Sequence, residues 1–556
     1  MRTLYLSLAA IILTCSILSC SNFLEEENPS GTTSESFYIS EAGAEAGVKS
    51  CYTWMRQFYG KEAGYGMFEM GTDIFTSGDG DPAPELTRYT NGLQGTSNTI
   101  TKVWEALYYA LNTCNTVLST LPQSSLSTSV KTVREGEVRF LRALYLWHIV
   151  NTWGGVELDT IPTTNARTEL HRSTEDEFYR VIKSDLTAAI SQLPATTTDY
   201  GRATKGAAEA LMARVCLYSK DYQQALDNAN HVIQNYNYQL AEDYNELCDI
   251  LTCNASKENI FVCNFATYAN NNFNSSVLEG PDGNMTIRDG GNNSHMLFTM
   301  LYDKANDRNG ETPVKRCIEY NRPFNRFMPT LFFLDLFDED IDGRYDAVIQ
   351  QSWICNNKTS LCNVGDTAIV FTKKSVPESV ENSSNAIIYD RDFTYGGENG
   401  GVTNRRWGPT FQKFLDPTVS SINQQSSPRD FVIIRLAEMY LIQAESQLQL
   451  GNKSAAAESI NIIRHRAAKP GCESAMEIKE SDVTIDFILD ERARELCGEM
   501  QRWYDLKRTG KLLERNKLHN PDAAGIQEYH LYRPIPTTTL DAVTNKDEFK
   551  QNNGYN

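Results

Sequence analysis

Apolar side chains recur at steps of three and four through much of the chain, the period that lines one face of a helix. In "TKVWEALYYALNTCNTVLSTLP" they fall at Val103, Leu107, Leu111, Cys114 and Leu118, and Pro122 closes the run because it cannot extend a helix. "EGEVRFLRALYLWHIVNTWGG" repeats the pattern with Val138, Leu141, Tyr145 and Ile149 and stops at Gly154-Gly155. A third helix is predicted in "RSTEDEFYRVIKSDLTAAISQLP", where Ser173 and Asp176 have the order of an N-cap and its acid. Next come two helices joined at Ser219 to Asp221, with Ala210, Ala213, Ala225 and Ala229 small enough for close approach. "RLAEMYLIQAESQLQLGNKSAAAESINIIRHRA" has the same design, turning at Gly451-Asn452. Both read as tetratricopeptide-type hairpins, or as ordinary hairpins of an α-rich domain.

Between Asn237 and about Asp430 that period fades. Gly, Asn, Asp, Pro and aromatics dominate, predicting loops and short strands. Stretches this long are uncommon unless functional or disordered, and the aromatics argue against plain disorder. At the other extreme, residues 4–18 form an apolar run after Arg2 that ends at Ser19-Cys20, the layout of a secretory signal. The small residue before a cysteine resembles a bacterial lipoprotein cleavage site, which implies that Cys20 becomes an acylated N-terminus; more than one acyl chain gives stable anchoring. The acids Glu25, Glu26 and Glu27 resemble the stretch that marks surface-exported lipoproteins of Bacteroidetes.

Composition narrows the function classes. The 556 residues carry 71 acidic and 52 basic side chains, a net charge of −19, which argues against nucleic acid as a partner. Thirteen cysteines, including Cys15 and Cys20, fit neither a dense disulfide framework nor paired zinc motifs. Local pairing among Cys248, Cys253 and Cys263, or between Cys355 and Cys362, stays open beside isolated thiols packed as small hydrophobes. No nucleophile elbow, phosphate loop or zinc-protease motif occurs, so no cofactor and no enzymatic activity are expected. Glu491, Glu495 and Glu499 are interleaved with Arg492, Arg494 and Arg502, which suits helix ion pairs better than a glycosidase carboxylate pair. "DEDIDGRYD", with Asp338, Asp340 and Asp342, begins like a calcium loop but has Ile349 in place of the closing glutamate, so no metal site is assigned.

Several segments together resemble the SusD/RagB outer-membrane lipoproteins of Bacteroidetes. They are "FLEEENPS", "GEVRFLRALYLWHIVNTWGGVEL", "GRATKGAAEALMARVCLY", "RLAEMYLIQAES", "LDERARELCGEMQRWYDLKRTG" and "PIPTTTLDA"; Val138 and Trp153 depart from the commonest family letters. The resemblance implies a mainly α, SusD-like fold of about four tetratricopeptide-like helix pairs, with an irregular, loop-rich, ligand-facing region of short strands. The organisation expected is a signal peptide over residues 1–19, an N-terminal helical region over 20–236, the loop-rich region over 237–430 and a C-terminal helical region over 431–556. It further implies a cell-surface, lipid-anchored outer-membrane protein that captures oligo- or polysaccharide and passes it to a SusC-like TonB-dependent transporter. Peptide or glycopeptide cargo, a surface adhesin and a glycoside-processing enzyme are the alternatives. Ligand contacts are not carried over from the family. Sugars need aromatic platforms flanked by polar side chains, and on that composition the candidates are Asp73, Phe75, Tyr89, Tyr268, Asn271, Phe273, Tyr320, Arg322 and Trp353.

Overall fold

The computed structural model describes residues 34–265 and 291–555. Its longer helices are α1 (Glu41–Thr53), α2 (Asn98–Thr120), α3 (Thr128–Trp153), α4 (Glu175–Gln192), α5 (Lys205–Tyr218), α6 (Tyr222–Asn235), α7 (Leu436–Gln449), α8 (Lys453–Ala467) and α9 (Ile485–Glu495). Each of α2 to α6 packs on the next in sequence, α6 packs on α7, and α7 on both α8 and α9. The helix array therefore continues across the whole loop-rich stretch. This is the mainly α architecture that the periodicity predicts.

Local chemistry sets the ends. Helix α3 stops at Gly154, whose φ of 74° is open to glycine at little steric cost. The start of α4 lies one residue later than the sequence predicts. Thr174 is the N-cap: its hydroxyl accepts from the Glu177 N–H at 3.2 Å while the Glu177 carboxylate accepts from the Thr174 N–H at 2.8 Å. Ser173 is drawn away, its N–H donating to the Val156 carbonyl at 3.0 Å. In the α5–α6 hairpin Asp221 caps α6, and Ala210, Ala213, Ala225 and Ala229 are fully buried. Asn452 caps α8 after Gly451, at φ 88°.

The strands are short: β1 (Phe75–Ser77), β2 (Asn259–Cys263), β3 (Phe327–Pro329), β4 (Ile349–Gln350), β5 (Ser352–Ile354), β6 (Thr367–Phe371), β7 (Ile387–Tyr389), β8 (Thr410–Phe411) and β9 (Phe431–Arg435). β1 pairs with β3, β2 with β9 and β4 with β8, all antiparallel; β6 lies between antiparallel β5 and parallel β7. The β2–β9 ribbon sets Asn259 opposite Arg435 and Cys263 opposite Phe431, and β9 runs straight into α7. The irregular stretch thus leaves the helical scaffold and returns to it at one place. The largest hydrophobic cluster draws on side chains from Val48 to Tyr555, including Trp147, Trp153, Trp353 and Trp503, so the three regions share one core.

Glu491, Glu495 and Glu499 correct the expectation of a local helix lattice. All are buried, and most of their partners come from distant segments. Arg344 donates to Glu491 at 2.8 Å and to Glu495 at 3.0 Å; Arg435 reaches Glu258 at 2.5 Å, Glu495 at 2.6 Å and Glu499 at 2.9 Å; Lys413 meets Glu499 at 2.7 Å. Only Arg494 to Glu491, at 2.7 Å, is the i,i+3 pair that spacing suggests. The network ties α9 to both the loop-rich stretch and the end of β9. Asp342, from the calcium-like sequence, is committed to Arg344, which donates to its two oxygens at 2.9 and 2.8 Å.

Candidate functional site

Five of the nine candidate contacts are interior side chains. Asp73 accepts from Arg502 at 2.8 and 2.6 Å and from Arg515 at 2.7 Å. Burial opposes its charge, but the two guanidiniums outweigh burial and bring its pKa down to about 2. Phe75 is fully buried among the rings of Phe298, Phe333 and Phe411, with centroids 5.3, 5.5 and 5.1 Å away. Tyr89 is buried and donates to the Gly71 carbonyl at 2.7 Å. The Tyr320 hydroxyl accepts from the Ile354 N–H at 2.9 Å, and Trp353 is the inward residue of β5, between exposed Ser352 and Ile354. All five are enclosed by protein. Tyr268, Asn271, Phe273 and the lipidation residue Cys20 lie outside the described residues. Arg322 is the one candidate, among those described, that reaches the surface.

Arg322 belongs to a presentation loop that composition alone did not single out. In Asn321-Arg322-Pro323-Phe324-Asn325-Arg326, burial alternates: Asn321, Pro323 and Asn325 point inward, and Arg322, Phe324 and Arg326 are half-buried. Both asparagines sit at positive φ, 56° and 47°, a conformation Asn tolerates better than most residues. Each anchors the loop to another segment. Asn321 donates to the Asp416 carbonyl and accepts from the Asp416 N–H, both at 2.7 Å; Asn325 donates to the carbonyls of Arg405 and Arg406 at 2.7 and 3.1 Å. Gly78 packs so close that a Cβ there would lie 2.3 Å from the Asn325 carbonyl oxygen. The loop therefore holds Phe324 with the Arg322 and Arg326 guanidiniums 4.9 and 5.0 Å from its ring centroid, within cation–π range.

Beside the loop stands an aromatic ladder. Tyr389, at the end of β7, has Phe393 4.9 Å away at 27° and Trp407 6.0 Å away at 6°. The outer members reach solvent: Phe393 is 38% exposed and Trp407 is half-buried. Trp407 is fixed by its indole N–H, which donates to the Leu301 carbonyl at 3.1 Å, and Arg406 lies 5.2 Å from its ring centroid.

A cleft of about 390 Å³ opens next to these groups, lined by Asp303, Lys304, Thr312, Lys315, Arg316 and Ile422. Asn423, next to Ile422, joins it to the presentation loop, accepting from Arg316 at 2.9 Å and from Arg322 at 3.4 Å. Leu301, just before Asp303, joins it to the ladder through Trp407. The cleft is thus linked to the loop through Asn423 and to the ladder through Leu301. Its volume falls within the common range of small-ligand sites, and the groups of cleft, loop and ladder together suit a flat, polyhydroxylated ligand: ring faces for C–H surfaces and forked donors for hydroxyls.

A second hollow of about 440 Å³ lies on the helical side, lined in part by Glu175, Tyr179, Lys183 and Tyr218. Its rings are already engaged. Tyr179 donates to Asn151 at 3.0 Å, and the Arg508 guanidinium lies 5.0 Å from the Tyr218 ring centroid. Among the described residues no group of three or more His, Cys, Asp or Glu is placed to hold a metal ion, and no helix is long and apolar enough to cross a membrane.

The comparisons with known proteins agree in direction. Residues 257–555 match the SusD family, and residues 22–217 match a family described as starch-binding, associating with outer membrane. SusD-like protein P25 of Formosa agariphila is 26% identical, with 98% of each chain covered. The starch-binding protein SusD of Bacteroides thetaiotaomicron is 25% identical, the match covering 78% of this chain and 75% of that protein. Among solved structures, a laminarin binding SusD-like protein superposes with a TM-score of 0.68 at 22% identity, over 93% of this chain and 100% of that one. A SusD homolog from Bacteroides thetaiotaomicron gives a TM-score of 0.71 at 19% identity, over 94% and 98%.

Proposed function

The chain belongs to the SusD family, and from that premise we propose that it is a glycan-capturing lipoprotein of the outer cell surface. Acylated Cys20 anchors it to the outer membrane, and the face built from the presentation loop, the ladder and the cleft takes up an oligo- or polysaccharide. The captured glycan passes to a SusC-like TonB-dependent transporter rather than being cleaved. What supports this reading is a ring ladder and a second ring flanked by guanidiniums, each linked by a hydrogen bond to a residue beside a polar cleft. Glycan names on the relatives, starch and laminarin, support the ligand class. The clustered carboxylates Glu491, Glu495 and Glu499 are buried in ion pairs.

The test of capture is affinity electrophoresis of the chain through gels that contain plant, microbial and host polysaccharides. Selective retardation by one polymer class is expected; migration unchanged in every gel, by folded protein, would remove glycan capture and leave peptide cargo. For the anchor, Cys20→Ala should move the protein out of the membrane fraction, whereas full membrane partitioning of that variant contradicts acylation at Cys20.

A further inference from the structure

The whole chain is strongly acidic, yet the cleft is not. Of its six lining residues, three are basic, Lys304, Lys315 and Arg316, and one is acidic, Asp303. The surrounding segment 301–326 carries six basic side chains to four acidic, against 52 to 71 for the chain.

Three of the four acids of this segment are spent on local structure, and the fourth, Glu319, is exposed but does not line the cleft. Asp303 is paired with Arg316 at 2.8 Å. Asp307 accepts from the backbone N–H groups of Asn309 at 2.9 Å and Glu311 at 3.0 Å. The Glu311 carboxylate accepts from the Ser360 N–H at 2.8 Å. Lys304 and Lys315 differ from them: both are exposed, both line the cleft, and neither has a carboxylate within ion-pair distance among the described residues. Two ammonium groups without a paired carboxylate in the cleft lining concentrate positive potential there, because local charge rather than net charge decides what a concavity attracts.

We propose that this cleft selects glycans bearing anionic substituents. The sugar ring lies against the aromatic groups, and its carboxylate or sulfate ester meets Lys304 and Lys315. The Arg316 guanidinium neutralises the one acid in the lining, Asp303, toward an anionic ligand. The specificity rests on the capture reading above and narrows it to a substrate class.

Matched polymers separate the two claims. The full chain, purified in detergent, is run through gels containing polygalacturonate or its methyl ester, alginate, a sulfated galactan or its desulfated form, and the neutral glucans starch and laminarin. Charged members should bind at least about tenfold more tightly than their neutral counterparts, and the advantage should shrink as ionic strength rises. The polyuronate and sulfate arms identify which anion the lysines read. Lys304→Ala/Lys315→Ala, at two exposed positions outside the core, should lose that advantage and keep its unfolding midpoint. Equal binding of charged and neutral partners, or undiminished charge preference in the double variant, overturns the anionic selectivity and leaves glycan capture standing. Failure to bind any of the polymers overturns both.

Discussion

Phe393 and Asp73 mark the two ways in which a polar or aromatic side chain in a loop can be used. Phe393 ends a ladder of rings with more than a third of its surface in solvent, its inner face stacked on Tyr389. Phe393→Ala should therefore weaken ligand binding about five- to hundredfold, since a ring that stacks on a ligand is worth roughly 1–3 kcal/mol, at a cost in stability of about 1 kcal/mol for the lost stack on Tyr389. Asp73→Asn should do the reverse. It leaves Arg502 and Arg515 facing a neutral amide in the interior, a loss of about 3 kcal/mol, with ligand retention unchanged in the folded fraction. Denaturant unfolding beside gel retardation checks both; a binding loss in the Asp73 variant without destabilisation would return that residue to the site. The same contrast explains why site residues were poorly legible in the sequence. Rings and carboxylates suit a sugar, but they equally suit a core built of stacked aromatics and paired arginines, and only tertiary contacts decide. Arg322 was legible as a basic residue among aromatics. The loop that presents it had a readable signal, two asparagines four apart with outward residues at every second position, but nothing local says that this alternation ends at the surface.

At the scale of elements, periodicity carried most of the information. The helices that became α2, α3, α5, α6, α7 and α8 follow from apolar spacing and from the glycine, proline and Asn or Asp at their ends, because those determinants act within a few residues. Where two caps competed, spacing did not suffice. Ser173 and Thr174 both precede an acid by three positions, and the backbone bond from Ser173 to Val156 settles the choice. Thr174→Ala should cost about 1 kcal/mol of stability, and Ser173→Ala at most about 0.5 kcal/mol, read from shifts in the denaturant midpoint; a larger loss at Ser173 would reverse the assignment. The short strands were legible only as a class. Several have partners far along the chain, as β1 and β3, β2 and β9, and β4 and β8 do, and no spacing rule connects them.

The whole molecule is a helical array from which a long irregular segment departs and to which it returns at the β2–β9 ribbon, with buried ion pairs fastening the junction. These pairs give the fold a pH signature. In Asp73 and Glu491 burial opposes ionisation, but the guanidiniums around each outweigh it and hold the pKa below the ordinary carboxylate range. A depressed folded pKa gives stability that is present above the unfolded value, about 4, and is lost as pH falls through the folded one. For Asp73, lowered to about 2, the loss is about 2 kcal/mol. Glu69 acts in the opposite sense: burial raises it to about 7, so its contribution is full below about 4.5 and declines as pH rises to 7. The melting temperature should peak near pH 5, falling steeply below pH 4 and gently toward pH 7. A profile flat from pH 3 to 5 would contradict the guanidinium assignments.

Glycan capture by this part of the loop-rich region is tested most directly by comparing the wild-type chain with Phe393→Ala/Trp407→Ala on the polysaccharide that retards the wild type most. Selective retardation of the wild type and its loss in the variant are expected, with circular dichroism of the two proteins unchanged. Equal retardation of both would place the glycan elsewhere on the molecule and contradict the site described above.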